Sequence, residues 1–558
     1  MTPFNSAAPP KKGLSPNSEA DLFTNSSFLI VDDFDGMRSI LHGLVRTCGG
    51  NSKMIDEASS GAEAVRMIEV KRYDTVLCDL NLGGGKNGQQ VLEEARVRNL
   101  IGPACCWLMV TAEKGSESVI GTAEIQPDAY LIKPITEAVL VGRMQKIKAK
   151  KNAFIEIDAA MAAKNFLKAI QLCDERAQTD RANAVELLRL KCQLLAMAGQ
   201  IDQAKEAYEA ILATRDVPWA QLGLAQVYHQ AGDMERARYI LEQLVGRNRS
   251  YLEAYDWLSK THVALDDKEK AEAVLDRALK LSPNSHTRQR ALGEVALQLG
   301  KFDNAEKAFR KSVVLSEHSV LKTPDAHLGL AKTLSAKGES GEALKVLDQM
   351  TQHFDSEEAR VRGKAVAGMV HHQNDDPEQA LLAAQELGDM LDQTAVHLDA
   401  ASAQEMASLM FATGEQDRAI ALLETEVRNN PENQALHESI RKIFHKAGLG
   451  DQGAEIVEKS RSEAVALMDR AVLLVKEKKY DEAIVSLRLS REQMPKNVRV
   501  LLNSAHVMIT HMEETGFDPV LATEARKCLM DAHQLAPGEQ RFARMMTALD
   551  ALSKEHSH

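Results

Sequence analysis

The sequence lacks several features that mark common protein classes. It has no apolar run long enough to cross a bilayer and no signal-peptide pattern at its N-terminus, so a membrane span and secretion are not expected. Its 7 cysteines form no C-x-x-C pair, which disfavours a zinc site and indicates reduced thiols. A net charge of −12 gives no basic footprint, so nucleic acid is not the expected partner. These absences predict a soluble, cytoplasmic protein.

The 558 residues, 44% of them hydrophobic, are enough for several domains with their own cores. Residues 1–25 are rich in Pro, Lys, Ser and Asn and are predicted to be a disordered leader. In 26–148, strand-like runs alternate with helical stretches, which predicts an α/β doubly wound domain with a five-stranded parallel sheet and five helices. A linker at 149–155, helical repeats over 156–548 and a tail at 549–558 are expected to follow. The five helices are predicted at 35–48, 61–70, 88–98, 116–123 and 135–148.

Four of the predicted strands end on polar side chains. The carboxyl edge of a parallel sheet is where ligands bind in open α/β folds, because loops converge there. We therefore expect these side chains to meet at one edge of the sheet. In chain order they are Asp32 and Asp33, then Asp79, then Thr111, and finally Lys133.

This set of residues suits phosphoryl transfer to a carboxylate. Three clustered acids repel one another and need a hard cation, and Mg²⁺ prefers carboxylates, waters and phosphate oxygens. The metal and Lys133 would neutralise charge on the transferring phosphoryl group, and Thr111 would donate a hydrogen bond to one of its oxygens. Asp79 would be the nucleophile. No separate general base is needed, since a carboxylate is already ionised at pH 7.

At these positions the chain resembles the receiver domains of two-component response regulators. The resemblance rests on Leu29–Asp33, Asp79, Thr111–Ala112 and Lys133–Pro134, and the stretch Val31–Arg38 is especially similar to single-domain chemotaxis receivers. It implies that Asp79 is the phosphoacceptor and that a histidine kinase or phosphotransfer protein is the donor.

The resemblance also implies a role for each neighbour of Asp79. Asp33 would be a direct Mg²⁺ ligand, Asp32 an outer ligand through water, and Asn81 a ligand through its backbone carbonyl. Thr111 and Tyr130 would form the switch pair, and Lys133 would contact the phosphoryl group. The family usually has a proline and a tighter loop after the acceptor, so Gly83–Gly88 is expected to form a looser loop.

Two further residues are predicted to set the lifetime of the phosphorylated state. Asn81 lies two positions after Asp79, and Glu113 lies two positions after Thr111. In the receiver family these positions flank the path along which water attacks the acyl phosphate. A short Asn81 leaves that path open, and Glu113 could hold the water in line. The same pair occurs in fast-cycling chemotaxis receivers, so a short-lived phosphoprotein is expected.

The second half of the chain repeats with a period near that of helical solenoids. In most repeats a turn residue lies five positions before a small residue, and a large apolar residue lies four positions after that small residue. The pattern resembles tetratricopeptide repeats, in about nine or ten units, and implies a right-handed superhelix whose groove binds other proteins. The tyrosines and tryptophans of the repeats are expected to be core residues. The small residues are Ala204, Ala237, Ala271, Ala305, Ala343, Ala380 and Ala419.

Two functions are compatible with this organisation. In the first, the protein is a phosphorylation-controlled adaptor whose receiver changes which protein the repeats bind. In the second, it is a passive scaffold or phosphate sink that uses the receiver as a docking module. Apart from self-catalysed phosphoryl transfer and hydrolysis at Asp79, no enzyme activity is expected, because no catalytic constellation follows residue 150.

Overall fold

A computed structural model describes residues 23–112, 127–163, 165–317, 319, 321–393, 399–536 and 539–555. The chain forms two compact units. The first comprises residues 1–188 with 316–322, and the second comprises 189–315 with 323–558. Among the described residues, no helix combines the length and the apolar character that crossing a membrane requires.

The first unit contains a five-stranded, fully parallel sheet in the order β2-β1-β3-β4-β5. The central strands are continuous apolar runs because helices cover both faces of the sheet, as is usual for parallel sheets. The predicted doubly wound fold is confirmed. The strands are β1 (Phe28–Val31), β2 (Ile55–Ala58), β3 (Thr75–Asp79), β4 (Cys106–Thr111) and β5 (Ala129–Ile132).

Four helices of this domain lie in the described part of the chain. They are α1 (Asp35–Thr47), α2 (Gly61–Val70), α3 (Gly88–Val97) and α4 (Glu137–Lys151). The helix predicted at 116–123 lies outside the described residues. The side chains of each strand alternate between two cores, one on each face of the sheet. Phe23 also belongs to the core, with 1% of its surface exposed and its ring stacked on Phe28, so the buried part of the domain includes a residue before 26.

The chain leaves this domain through helical residues. Helix α4 continues to Lys151, and a 3₁₀ turn at Asn152–Phe154 leads directly into α5 (Ile155–Ala162). The ammonium of Lys151 lies 2.9 Å from the Asp128 carboxylate and donates a hydrogen bond to the carbonyl of Cys105 at 2.6 Å. These contacts hold the end of α4 against the N-terminal ends of β4 and β5. The segment expected as a linker is thus helical and attached to the sheet.

Helix α5 continues this attachment at the same edge of the sheet. Its residue Asp158 lies 3.7 Å from Arg72 and accepts a hydrogen bond from the backbone of Ala104. Gly102 allows this approach, because a Cβ there would lie only 1.7 Å from an Asp158 oxygen. The first helix after the sheet domain is therefore packed on the base of that domain.

Helices alone make up the rest of the described chain, mostly as antiparallel pairs. They are α6 (Phe166–Thr179), α7 (Ala184–Met197), α8 (Ile201–Thr214), α9 (Pro218–Gln230), α10 (Met234–Arg247), α11 (Leu252–Ala264), α12 (Lys268–Leu281), α13 (His286–Gln298), α14 (Phe302–Leu315), α15 (Asp325–Ala336), α16 (Ser340–His353), α17 (Glu357–Gln373), α18 (Pro377–Gln393), α19 (Ala400–Thr413), α20 (Gln416–Asn429), α21 (Gln434–Lys446), α22 (Gly450–Lys476), α23 (Tyr480–Gln493), α24 (Val498–Thr515), α25 (Pro519–Leu535) and α26 (Gln540–Glu555).

The period seen in the sequence follows from how these helices pack. Ala237 and Ala271 have no exposed surface, and their small side chains allow neighbouring helices to approach. The turn before each of them needs a left-handed residue, which Gly232 supplies at φ +83° without strain and Asp266 at φ +60°. One departure is α22, which at 27 residues is the longest helix in the described part of the chain.

Candidate functional site

The predicted polar side chains meet at the carboxyl edge of the sheet. Strand register brings Val31 beside Cys78 and Asp79 beside Val110, so the residues that end β1, β3 and β4 lie next to one another. One carboxylate oxygen from each of Asp32, Asp33 and Asp79 lies within 4.8 Å of the other two. Asp32 is 1% exposed and Asp79 8% exposed, whereas Asp33 is open to solvent.

Lys133 completes this cluster from β5. Its backbone N–H donates to the carbonyl of Thr111 at 2.8 Å, which extends the β4–β5 pairing and brings the lysine to the acids. Its ammonium lies 2.9 Å from Asp79 Oδ2 and 3.1 Å from Asp32 Oδ2. One cation is therefore shared between two buried carboxylates.

The charges of the cluster shift the ionisation of both partners. Burial raises the pKa of Asp79, Lys133 opposes this rise, and the nearby charge of Asp32 adds to it, so that the net pKa is raised. Burial tends to lower the pKa of Lys133, but its hydrogen bonds to Asp79 and Asp32 outweigh this and raise the pKa. The net rise of the Asp79 pKa comes chiefly from burial, which the ion pair with Lys133 does not offset.

These residues fit a hard divalent cation. The three carboxylates offer oxygen ligands at converging positions, and the negative charge left by Lys133 favours a metal ion. Asn81, whose carbonyl was expected to be a further ligand, lies in the loop that follows β3 and has an exposed side chain. The donor set is of the kind that Mg²⁺ prefers, all oxygen and mostly anionic.

The loop after Asp79 is held more firmly than its glycines predict. The N–H of Gly88 donates to the carbonyl of Leu80 at 3.0 Å, and Asn87 forms a capping box with Gln90 at the start of α3. Lys86 forms an ion pair with the buried Glu94. The looser loop that the sequence suggested is therefore anchored at its C-terminal end.

The remaining predicted residues are only partly described. Thr111 is 2% exposed at the end of β4. Tyr130 is partly buried opposite Met109, within one of the two cores, and burial raises the pKa of its hydroxyl. Glu113 lies outside the described residues.

Sequence reasoning missed one residue that contacts the cluster. Arg38 donates to the carbonyl oxygen of Asp32 at 2.9 Å and lies within 3.4 Å of Glu57 on β2. Arg38 lies three residues after Asp35, a spacing that predicts an ion pair within a helix. No sequence pattern near Arg38 predicts its contact with Glu57 on β2.

Aromatic residues of the helical repeats fall into two classes. Tyr208 and Tyr255 are buried, as expected for core residues. Trp219 and Trp257 are only partly buried, and each has a cation near its ring, Arg189 at 5.9 Å and Lys260 at 4.7 Å from the respective ring centroids. Trp257 nevertheless packs against a buried apolar cluster of neighbouring helices, as expected for a core residue, and Trp219 lies edge-on to the buried ring of Tyr208.

Comparison with known protein families divides the chain as the fold does. Residues 28–145 match the response regulator receiver domain family. Tetratricopeptide repeat families match residues 198–256 and 228–295, and a further one matches 290–358.

Individual relatives match the sheet domain over nearly their whole length. Chemotaxis protein CheY-3 of Vibrio cholerae serotype O1 is 36% identical over 129 residues, which are 23% of this chain and 96% of the relative. Chemotaxis protein CheY of Pseudomonas aeruginosa is 33% identical over 124 residues, 22% of this chain and 97% of that protein. Among solved structures, a tetratricopeptide repeat protein from Parabacteroides merdae is 14% identical, covers 47% of this chain and 99% of its own, and has a TM-score of 0.35.

Proposed function

This chain belongs to the response regulator receiver family and continues into tetratricopeptide repeats, and we propose that it is a phosphorylation-controlled signalling adaptor. In this proposal, a histidine kinase or phosphotransfer protein phosphorylates Asp79, and the repeats change their binding of a partner protein in response. The observation that carries the proposal is the Asp32–Asp33–Asp79 cluster with Lys133 shared between two of its members.

The chemical step we propose is transfer of a phosphoryl group to the Asp79 carboxylate. A carboxylate oxygen of Asp79 forms the new bond to phosphorus while the bond to the donor, a phosphohistidine nitrogen, breaks. Lys133 is placed to balance charge on the transferring group, since its ammonium already contacts the acceptor. The hydroxyl of Thr111 would donate to a phosphoryl oxygen.

Mg²⁺ supplies charge neutralisation for this chemistry when it is bound. Asp33 would ligate it directly, Asp32 through a water molecule, and Asn81 through its backbone carbonyl. The exposure of Asp33 and the burial of Asp32 are consistent with these two different roles. In the later hydrolysis, a water oxygen forms the new bond to phosphorus and the bond to the Asp79 oxygen breaks. The exposed side chain of Asn81 would leave access for this water, and Glu113 would orient it.

The proposed output passes through the end of the sheet that lies opposite Asp79. Strand β4 carries Thr111 at one end, and at its other end the Cys105 carbonyl contacts Lys151. A displacement of β4 would therefore reach α4 and α5 without a flexible segment between them. Tyr130, which lies beside β4, would move with Thr111 as the second part of the switch.

All seven cysteines are free thiols, which agrees with action in the reducing cytoplasm.

The experiment that tests this proposal measures partner binding in the two states of the receiver. The full chain is immobilised with Mg²⁺ alone or with Mg²⁺ and beryllofluoride, and proteins retained from the cell extract are compared. The proposal expects at least one partner whose retention changes between the two states and does not change for Asp79→Asn. Identical retention in both states would favour a passive scaffold or phosphate sink instead.

A further inference from the structure

The guanidinium of Arg38 makes three contacts beside the acid cluster. Its Nη1 donates to the backbone carbonyl of Asp32 at 2.9 Å, and its Nη2 donates to Asp35 at 2.7 Å. Its Nε lies 3.4 Å from a Glu57 oxygen. Only 14% of the side chain is exposed. This geometry fixes the planar fork of the arginine between α1, β2 and the end of β1.

A second residue on the same face of α1 supports Glu57. His42 lies four residues after Arg38, one helical turn further on, and its Nδ1 is 2.7 Å from Glu57 Oε1. Glu57 reaches both because β2 pairs directly with β1, where Glu57 is opposite Ile30. His42, Glu57 and Arg38 thus form a continuous chain of polar contacts that ends on the Asp32 carbonyl.

The series of contacts from His42 through Glu57 and Arg38 ends on the peptide group that joins Asp32 and Asp33. The carbonyl that Arg38 holds belongs to the bond between Asp32 and Asp33, so its orientation sets where both carboxylates point. The other atoms of Asp32 are also held: its N–H donates to Ala58 at 3.2 Å, and its Oδ1 accepts from the N–H of Phe34 at 3.0 Å. The carbonyl contact comes from a charged donor, as does the contact of Lys133 with Asp32 Oδ2, and such bonds are the stronger ones.

Arg38 and Lys133 act on the cluster in different ways. The Lys133 ammonium binds carboxylate oxygens, which are the atoms that a cation would need. The guanidinium of Arg38 binds a carbonyl oxygen instead, and Asp35 and Glu57 balance its charge. Arg38 therefore holds the two acids in position and leaves free the carboxylate oxygens that a cation would bind.

We propose that Arg38, held by Glu57 and His42, is a positioning residue that pre-organises the acid pair and thereby sets the affinity of the cluster for Mg²⁺. The inference rests on the proposed function for the metal site itself, but not on phosphoryl transfer. Fixing ligands in advance removes part of the ordering cost of binding, so its loss should appear in metal affinity before it appears in the maximal rate.

Calorimetric titration of Mg²⁺ into the full chain tests this inference. Arg38→Ala should raise the Mg²⁺ Kd about tenfold, the order expected for losing one hydrogen bond to a charged donor. Arg38→Lys, which can still reach the carbonyl with a single donor, should lose less. The matched control is Arg46→Ala, on the same helix but exposed and more than two turns away, and it should bind Mg²⁺ like the unchanged protein.

Phosphate uptake from a small acyl phosphate donor gives a second readout. In Arg38→Ala the Mg²⁺ concentration for half-maximal uptake should rise, while the rate at saturating Mg²⁺ should stay within about twofold of the unchanged protein, since Asp79 and Lys133 are untouched. Glu57→Gln keeps Arg38 and weakens only its support, so it should shift the Kd in the same direction by a smaller factor. That variant carries the test if Arg38→Ala does not fold.

The possible outcomes separate this inference from the proposed function. An unchanged Mg²⁺ Kd in folded Arg38→Ala, or in Glu57→Gln where Arg38→Ala fails to fold, would overturn the positioning role and leave the phosphorylation proposal intact. Absence of Mg²⁺ binding by the unchanged protein would overturn both. A normal Kd with a reduced saturating rate would also contradict the inference, because it would place Arg38 in the transfer step.

Discussion

The ammonium of Lys133, which follows β5, lies 2.9 Å from the carboxylate of Asp79 at the end of β3 and 3.1 Å from that of a second acid, Asp32. Lysine and acid are 54 residues apart in the chain, and the parallel register of β3, β4 and β5 brings them together. The charge balance of the site therefore depends on a contact that only the folded sheet creates.

Replacing Asp79 by asparagine should stabilise the sheet domain when Mg²⁺ is absent. Burial raises the pKa of Asp79, so the folded state disfavours its ionised form. For an acid with a raised pKa, this cost is absent below the pKa of the unfolded chain, grows as pH rises, and is complete above the folded pKa. At pH 7 with EDTA, hydrogen exchange in β3 should be slower in Asp79→Asn. The advantage should shrink when Mg²⁺ is added, and faster exchange in EDTA would contradict the charge assignment.

Replacing Lys133 by glutamine should separate metal binding from phosphoryl uptake. The ammonium contacts two of the three acids, so its removal leaves the cluster more negative and should tighten Mg²⁺ binding severalfold. The uptake rate from a small phosphodonor should fall, because the charge that balances the transferring group is lost. Lys53→Gln removes the same charge at an exposed site and should change neither quantity. Weaker Mg²⁺ binding in Lys133→Gln would mean that the lysine supports the metal site.

Gly88 should not tolerate even one added methyl group. A Cβ at this position would lie 2.0 Å from the carbonyl oxygen of Asp79, so Gly88→Ala must displace either α3 or the acceptor. Overpacking of this kind costs about 1–3 kcal/mol in unfolding free energy, and here it should also slow phosphate uptake. Gly84→Ala is the matched control in the same loop, since a Cβ there meets no atom within 4 Å. Equal uptake by the two variants would show that the loop is not anchored as described.

The lifetime of the phosphorylated protein should depend on Asn81 and Glu113. Replacing Asn81 by arginine and Glu113 by tyrosine should block the water path and slow phosphate loss about tenfold, or roughly 1.4 kcal/mol in the barrier. The rate is followed as loss of acid-labile phosphate after the donor has been removed. An unchanged rate in the double variant would show that these side chains do not control access.

Much of this site could be predicted from the sequence, because its residues lie at the ends of strands. A parallel sheet brings such ends to one edge whatever the loops do, which is why Asp32, Asp79 and Lys133 could be grouped before their distances were known. The contact of Arg38 with Glu57 could not be predicted, because it joins a helix face to another strand. The anchoring of the glycine loop depends likewise on a contact between Lys86 and Glu94 across a turn.

The helical half shows the same division between local and non-local signals. Buried alanines and left-handed glycines recur in the sequence because each helix pair needs them, and Ala237 and Gly232 are found in those roles. The long helix α22 was not predicted, since it departs from the length of the paired helices on which the repeat pattern rests. The partial exposure of Trp219 and Trp257 depends on the neighbouring repeats, which composition does not describe.

Mapping of the modified residue shows whether Asp79 receives the phosphoryl group. The full chain is incubated with Mg²⁺ and a small phosphodonor, the acyl phosphate is reduced with borohydride, and peptides are sequenced by mass spectrometry. We expect conversion of Asp79 to homoserine in the unchanged protein and no converted residue in Asp79→Asn. Conversion at another residue, or equal phosphate uptake by Asp79→Asn, would contradict it.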